Sequence, residues 1–355
     1  MKRPQFGLLC FLFCSCLCVA ASGPVADLTK AQKERDARPW SSSRPSALLH
    51  RPGTVVPKTS RTALRLSAGG AAGLKMSALT QGLIQSGLVA LGANSIGYLI
   101  TRLTDTHKIT DLVGTGSFVA TALATQWRTG VYTPRALLMT GAISFWGTRL
   151  ASFLFARVLK QGDDARLGAV FKKPGGMEGF WTIQAAWAWI CMVPHTLLLY
   201  GAKSMAAGSA AMALGPLDAI AATIMIGGIV FESVADWQKW KHRFDPSKKG
   251  TFCKTGLWSL CRQPNYFGEL CTWWGGYFLA LPGLLAGPWG WKAAALGVVS
   301  PLWIQFLLLF VSGIPLSEKG NEKKYGQMEE YKQYKKDTPL LIPKISNAFK
   351  SSKQS

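Results

Sequence analysis

From residue 78 onward, long apolar blocks alternate with short polar connections. The blocks fall at roughly 78–100, 109–126, 134–155, 179–200, 212–236, 267–285 and 292–314. Most approach the ~20 residues that an α-helix needs to cross a bilayer core. They mix Gly, Ala, Ser and Thr with larger side chains, as closely packed membrane helices do. The pattern predicts an all-α fold, a polytopic membrane helical bundle of about seven transmembrane helices over residues 76–345, with a polar tail over 346–355.

Charge orients these spans. The connections 156–178 and 237–266 and the segment after 314 carry five, seven and nine Lys or Arg, whereas 201–211 and 286–291 carry one and none. Seven spans place the three basic segments on one face, as the positive-inside rule requires. The early connections 101–108 and 127–133 do not discriminate. The C-terminus is then expected on the cytosolic side or, in a plastid, the stromal side. The 355 residues are 48% hydrophobic and 16% charged, with a formal net charge of +22. A nucleic-acid partner would need a basic soluble face with interleaved aromatics; here the basic residues sit between apolar blocks, so no nucleic-acid binding is expected.

The N-terminus has a different character. Lys2 and Arg3 precede an apolar run from Phe6 to Val19, and Ala20, Ala21 and Ser22 suit a cleavage site, so residues 1–22 read as a signal peptide. A short first transmembrane helix is the alternative. From Ala37 to Lys75 there are seven Lys or Arg and six Ser, with no Asp or Glu. Residues 23–75 therefore read either as a transit peptide, making the leader bipartite, or as a disordered basic linker. Of the eight cysteines, Cys10, Cys14, Cys16 and Cys18 lie in the leader. Cys191, Cys253, Cys261 and Cys271 show no CxxC or Cys/His zinc spacing. No metal site is expected.

Candidate chemistry concentrates in Gly250–Gly276, GTFCKTGLWSLCRQPNYFGELCTWWGG. It sets Arg262, Asn265, Tyr266 and Glu269 at the start of an apolar run, where unpaired polar groups are costly and functional by default. A juxtamembrane loop anchored by Trp and Tyr is the plainer reading. Arg149 lies inside the third block and needs either an interhelical carboxylate or a ligand phosphate. Glu232 and Asp236, four apart, share a helix face and need cations or a polyhydroxyl ligand. Arg243, seven residues further on, returns to that face if the helix continues. His195 reads as a hydrogen-bonded core residue. The pairs Gly227–Gly228 and Gly275–Gly276 have no strand context and read as helix-packing sites. Tyr325, Tyr331 and Tyr334 lie among the charges of the C-terminal segment, which forms either a solvated helix or a lid over a cofactor.

FESVADWQKWKHRF, then DPSKKGTFCKTGLWSLCRQPNYFGELCTWWGG, then SGIPLSEK and a YxxYxxxTPxxIP ending, resemble the membrane reductases with a steroid 5-alpha-reductase C-terminal domain. More narrowly they resemble the DUF1295 branch. The similarity runs from about Asp111, through TRLASFLFARV and its following DDAR, to about Pro343. The resemblance implies NADPH bound in a cavity open to the positive side, and hydride delivered to an activated carbon–carbon double bond of a lipid substrate. It also implies that Glu232 and Asp236 meet the nicotinamide or ribose end, that Arg149, Arg243 and Arg262 meet phosphates, and that Asn265 and Glu269 fix the amide and nearby hydroxyls. Tyr266 lies beside them, and Tyr325 is the tail candidate. Gln263 departs from the family's RHPNYxGE pattern, in which His precedes Pro; glutamine keeps hydrogen bonding but cannot titrate near neutral pH.

The expected function is therefore an NADPH-dependent membrane oxidoreductase acting on a sterol, isoprenoid or enoyl lipid. An S-adenosylmethionine-dependent membrane methyltransferase of the isoprenylcysteine or phospholipid type and a non-catalytic membrane scaffold are the alternatives. The leader is compatible with a plastid membrane or the endoplasmic reticulum.

Overall fold

The computed structural model describes residues 60–162, 165–205 and 213–346, and for 60–77, 165, 166 and 169 the backbone alone. The chain divides after Met76 into two units. Of the first, residues 60–76 are helical; the second holds the bundle and every candidate site residue. The signal peptide over 1–22, the leader from 23 to 59 and the tail from 347 to 355 lie outside the described residues, as do Asp163 and Asp164 of the DDAR stretch.

Among the described residues the fold is all helical, without a strand. The helices are α1 (Ser60–Thr104), α2 (Thr110–Thr129), α3 (Pro134–Gln161), α4 (Ala165–Phe171), α5 (Gly176–Cys191), α6 (Val193–Lys203), α7 (Pro216–Phe244), α8 (Leu257–Leu260), α9 (Pro264–Ala286), α10 (Trp291–Gly297), α11 (Val299–Phe306), α12 (Ile314–Tyr325) and α13 (Glu329–Asp337). A π-helical turn, Leu307–Val311, joins α11 to the last segments. Proline sets several starts. Pro134, Pro216 and Pro264 stand in the first turns of α3, α7 and α9, where the missing N–H costs nothing. Pro194 breaks the fourth apolar block, so that α5 and α6 meet at a 48° bend at Met192.

All seven apolar blocks contain helix, but not every one passes as a span by length and apolarity. Four helical stretches are long and apolar enough to cross a membrane: Ala78–Thr104, Pro134–Gln161, Pro216–Phe244 and Trp291–Tyr325. The bent pair α5–α6 makes a fifth if it counts as one span. Helices α2 and α9 have the length but not the apolarity. In α2 the buried face carries Thr110, Thr115, Ser117, Thr121, Thr125 and Thr129, facing protein rather than lipid. Several of these hydroxyls donate to carbonyls of their own helix, as Thr121 does to Ser117 O at 2.7 Å. Outside, Leu88, Leu103, Phe145, Ile183, Leu217 and Phe310 stand exposed, a larger apolar surface than a water-soluble monomer carries. The chain is accordingly a membrane protein.

The core is built around the α7–α9 crossing. A Cβ on Gly228 would stand 2.6 Å from Gly268 O, and one on Gly268 2.6 Å from the Glu232 backbone N. Only glycine lets these two backbones approach so closely, the small-residue contact typical of membrane helices. Beside this crossing Phe118, Trp146, Trp187 and Trp273 form an aromatic cluster with ring centroids 4.8–5.4 Å apart. At the other end, Arg135 of α3 clasps Asp218 of α7 through Nε at 3.1 Å and Nη2 at 2.5 Å. Asp218 also accepts from Gly215 N at 2.7 Å, closing the first turn of α7.

The α7–α9 contact gives a direct prediction. Gly228→Val should destabilise the detergent-purified protein by about 1–3 kcal/mol or prevent folding, because neither backbone can yield. Gly227→Ala, which meets open space within 4 Å, should leave the melting temperature unchanged or slightly raised.

Candidate functional site

Three helices bring their charges to one place. Arg149, on α3, extends its guanidinium to both acids of α7: Nη1 donates to Asp236 Oδ2 at 2.8 Å and Nη2 lies 2.7 Å from Glu232 Oε1. The second contact is an ion pair without hydrogen-bond alignment. Trp146, one turn earlier on α3, donates its indole N–H to the other Glu232 oxygen at 3.0 Å. Glu232 and Asp236 are buried, and one arginine fork bridges their four-residue spacing. Glu269, half-buried on α9, lies within electrostatic reach of Glu232, Asp236 and Arg149. Three carboxylates thus face one guanidinium, and further cations follow: Lys239 and Arg157 act on Asp236 from the next turns of α7 and α3.

A second cluster forms where the loop before α9 meets α12. Arg262 Nη1 lies 2.9 Å from Glu318 Oε2, and Gln263 Nε2 donates to Glu318 Oε1 at 2.7 Å. Ser317 Oγ donates to Gln263 Oε1 at 3.2 Å. Gln263 is fully buried, and both ends of its amide are used. Gln263 is therefore a bridge between the loop and α12.

The C-terminal segment holds this loop in place. Arg262 N donates to Pro339 O, and Lys344 N to Leu260 O, each at 2.9 Å. Tyr334 donates to Trp258 O at 2.6 Å. Phe252 receives the rings of Tyr325, Tyr331 and Tyr334 at 5.8, 5.1 and 5.2 Å. Burial pushes the Tyr331 phenol up to about 12 and raises that of Tyr334 further. Burial likewise raises the Cys261 thiol to about 11 and also raises that of Cys253, so neither is a nucleophile near neutral pH. The tyrosines are a docking cluster rather than a solvated face.

Of the nine candidates, the structure joins Arg149, Glu232, Asp236 and Glu269 in the first cluster. Arg262 stands in the second. Asn265 lies in the first turn of α9, one turn before Glu269, and its buried Oδ1 has no partner. Tyr266 packs half-buried against the apolar core. Arg243 is exposed at the end of α7; its charged neighbours are Arg157 and the Tyr325 hydroxyl rather than the acid pair. The cation that answers Glu232 and Asp236 therefore comes from α3, not from further along α7. His195 is wholly buried, with Nε2 2.8 Å from Thr140 Oγ1.

Sequence reasoning missed Trp146, Lys239, Arg157 and Glu318. Lys239 had a signal, since it stands seven residues after Glu232 on the same helix face. Glu318 lies in the SGIPLSEK stretch, but only the fold shows that it answers Arg262 and Gln263. The donor set suits a charged, hydroxyl-rich ligand. Arg149 Nε, Arg262 Nε and Asn265 Oδ1 are buried without hydrogen-bond partners, and two of the three belong to guanidiniums, the group best matched to phosphate. Among the described residues no group of three His, Cys, Asp or Glu could hold a metal.

A profile of the family described as a protein of unknown function, DUF1295, matches residues 97–338. The chain belongs to that family, and the match takes in all nine candidates. No curated protein and no solved structure matches the chain.

Arg149→Ala would leave Glu232 and Asp236 facing each other in a buried site. It should cost about 3–5 kcal/mol, the usual penalty for stranding buried charge. Arg157→Ala, whose 3.3 Å pair with Asp111 is largely solvated, should cost no more than about 1 kcal/mol. Thermal melts of the two variants in the same detergent test the contrast.

Proposed function

We propose that this protein is an integral membrane oxidoreductase that uses NADPH to reduce an activated carbon–carbon double bond of a sterol, isoprenoid or enoyl lipid. The observation that carries the reading is the cluster of Arg149, Glu232, Asp236 and Glu269 beside the partnerless Asn265 Oδ1. It combines acceptors for ribose hydroxyls with an acceptor for a carboxamide NH2. Arg262 and the exposed Arg243 are the cations for phosphates, with Lys239 and Arg157 adding to the positive field. Arg149 serves chiefly to bridge the two acids. The cofactor supplies the hydride; the protein's part is to hold it, orient it and keep bulk water from the reacting carbon. The aromatic wall of Phe118, Trp146 and Trp273 beside Glu232 suits the exclusion of water.

The same reading gives Gln263 a purpose. If His in the family pattern orients the loop, an amide that donates to Glu318 and accepts from Ser317 performs that task without titrating. The resemblance to steroid 5-alpha-reductases supplies the reaction class. The basic segments 156–178, 237–266 and the C-terminal stretch support a cytosolic or stromal site, since the cofactor cluster lies where α7 ends and α9 begins. The leader supports the endoplasmic reticulum or a plastid membrane.

The test is the melting temperature of the purified full chain with NADPH, NADH or S-adenosylmethionine added separately. NADPH at a hundred times its Kd should stabilise the protein by about 2.7 kcal/mol, because it binds only the folded form. Asn265→Ala and Glu269→Ala should abolish the shift, and Gln263→His should keep it. A shift with S-adenosylmethionine alone would assign methyl transfer instead, and no shift with any of the three would leave a non-catalytic scaffold.

A further inference from the structure

A cavity of about 250 Å³ lies between α1 and α5, lined by Leu91, Asn94, Ser95, Tyr98, Glu178, Trp181 and Thr182. None of these is a candidate of the cofactor cluster. The gap has a local cause, because α1 docks through aromatic side chains laid on its glycines. Trp189 donates to Leu83 O at 2.9 Å, and Tyr200 covers Gly82. Near the other end, the Trp181 ring occupies the space where Gly97 lacks a Cβ. Helices held apart by indole rings leave room between them.

The chemistry of the lining is unusual for a lipid-facing groove. Six of the seven side chains can hydrogen-bond, and none is a Lys or Arg. Asn94 is 1% exposed; its Nδ2 donates to Ala90 O at 2.8 Å, while its Oδ1 has no partner. Trp181 is 3% exposed and its Nε1 has no partner. One acceptor on α1 and one donor on α5 are thus left over in the lining. At the rim Tyr98 donates to Glu178 Oε1 at 3.1 Å. The polar rim lies near the end of α1 and the start of α5. Leu91, half exposed and two turns deeper on α1, continues the wall toward the apolar belt.

We propose that this cavity binds the uncharged, hydroxyl-rich headgroup of a lipid, a hexosyl glycerolipid in chemical class. A phosphate finds no cation in the lining and meets the Glu178 carboxylate at the rim. A single hydroxyl would leave most of the space empty, since 250 Å³ is about eight waters' share of liquid volume. A sugar ring both donates and accepts. It can therefore meet the Asn94 oxygen and the Trp181 N–H together, with its remaining hydroxyls on Ser95, Thr182 and the Tyr98–Glu178 pair.

The experiment uses the purified full chain in a detergent without a sugar head, titrated by thermal shift with monohexosyl diacylglycerol, diacylglycerol, phosphatidylglycerol and a free methyl hexoside. The hexosyl lipid should bind at least about tenfold more tightly than diacylglycerol or phosphatidylglycerol. Asn94→Leu and Trp181→Phe should each weaken it about tenfold, the loss of one buried hydrogen bond. Glu178→Gln, at the exposed rim and so without a folding risk, should weaken it several-fold. Equal binding of the free hexoside would keep the polyhydroxyl chemistry and assign it to a soluble sugar. Equal binding of diacylglycerol, or affinity untouched by all three substitutions, would overturn the proposal.

Discussion

The contact on which the rest of this structure depends is the grip of Arg149 on Glu232 and Asp236. Two carboxylates four residues apart on a membrane helix repel, and neither can stay ionised in an apolar interior without a cation. One guanidinium, entering from a different helix, answers both at 2.7 and 2.8 Å. That demand fixes the separation and rotation of α3 against α7. The second tie between the two helices, Arg135 to Asp218, repeats the device at the opposite end of α7. Arginines of α3 thus hold α7 at its first turn and past its middle, and between them Gly228 meets α9.

The glycine crossing and the charge cluster are linked by geometry. Gly268 stands where its missing Cβ would collide with the backbone of Glu232. The position that lets α9 approach α7 most closely is thus the one beside the acid that Arg149 holds. Glu269, next to Gly268 in the same helix, is carried within electrostatic reach of the acid pair by that approach. The polar residues of α7 and α9 converge because a side chain is absent between them.

Much of this was legible in the sequence. The helices follow from apolar blocks, and Arg149 was bound to have a partner because an arginine inside a span cannot go without one. Gly228 and Gly275 read as packing sites and serve as such against Gly268 and Met225. Two things were not legible. The number of spans was not settled by length: α2 and α9 are long enough to cross a membrane, yet among the described residues only four or five stretches are also apolar enough. The partner of the acid pair also lies on another helix: a stripe along α7 suggested Arg243, whereas the cation in contact is Arg149 of α3, 87 residues before Asp236. Sequence periodicity sees one helix at a time, and ion pairs between helices are outside its reach.

Gln263 shows how the same limit applies to motifs. Against the pattern it is a departure, and a lost titratable group suggests decay. In the fold it is wholly buried, and both ends of its amide are engaged by consecutive residues of α12, Ser317 and Glu318. Such matched contacts matter to the fold, since an unmet buried amide is costly. Glu318 in turn lies against Arg262, so the bridge places a guanidinium at the start of α9. The loop that carries it is fastened twice more by the C-terminal segment, through Pro339 and Lys344. Gln263 thus belongs to one network that fixes the loop, and it brings no group that titrates near neutral pH.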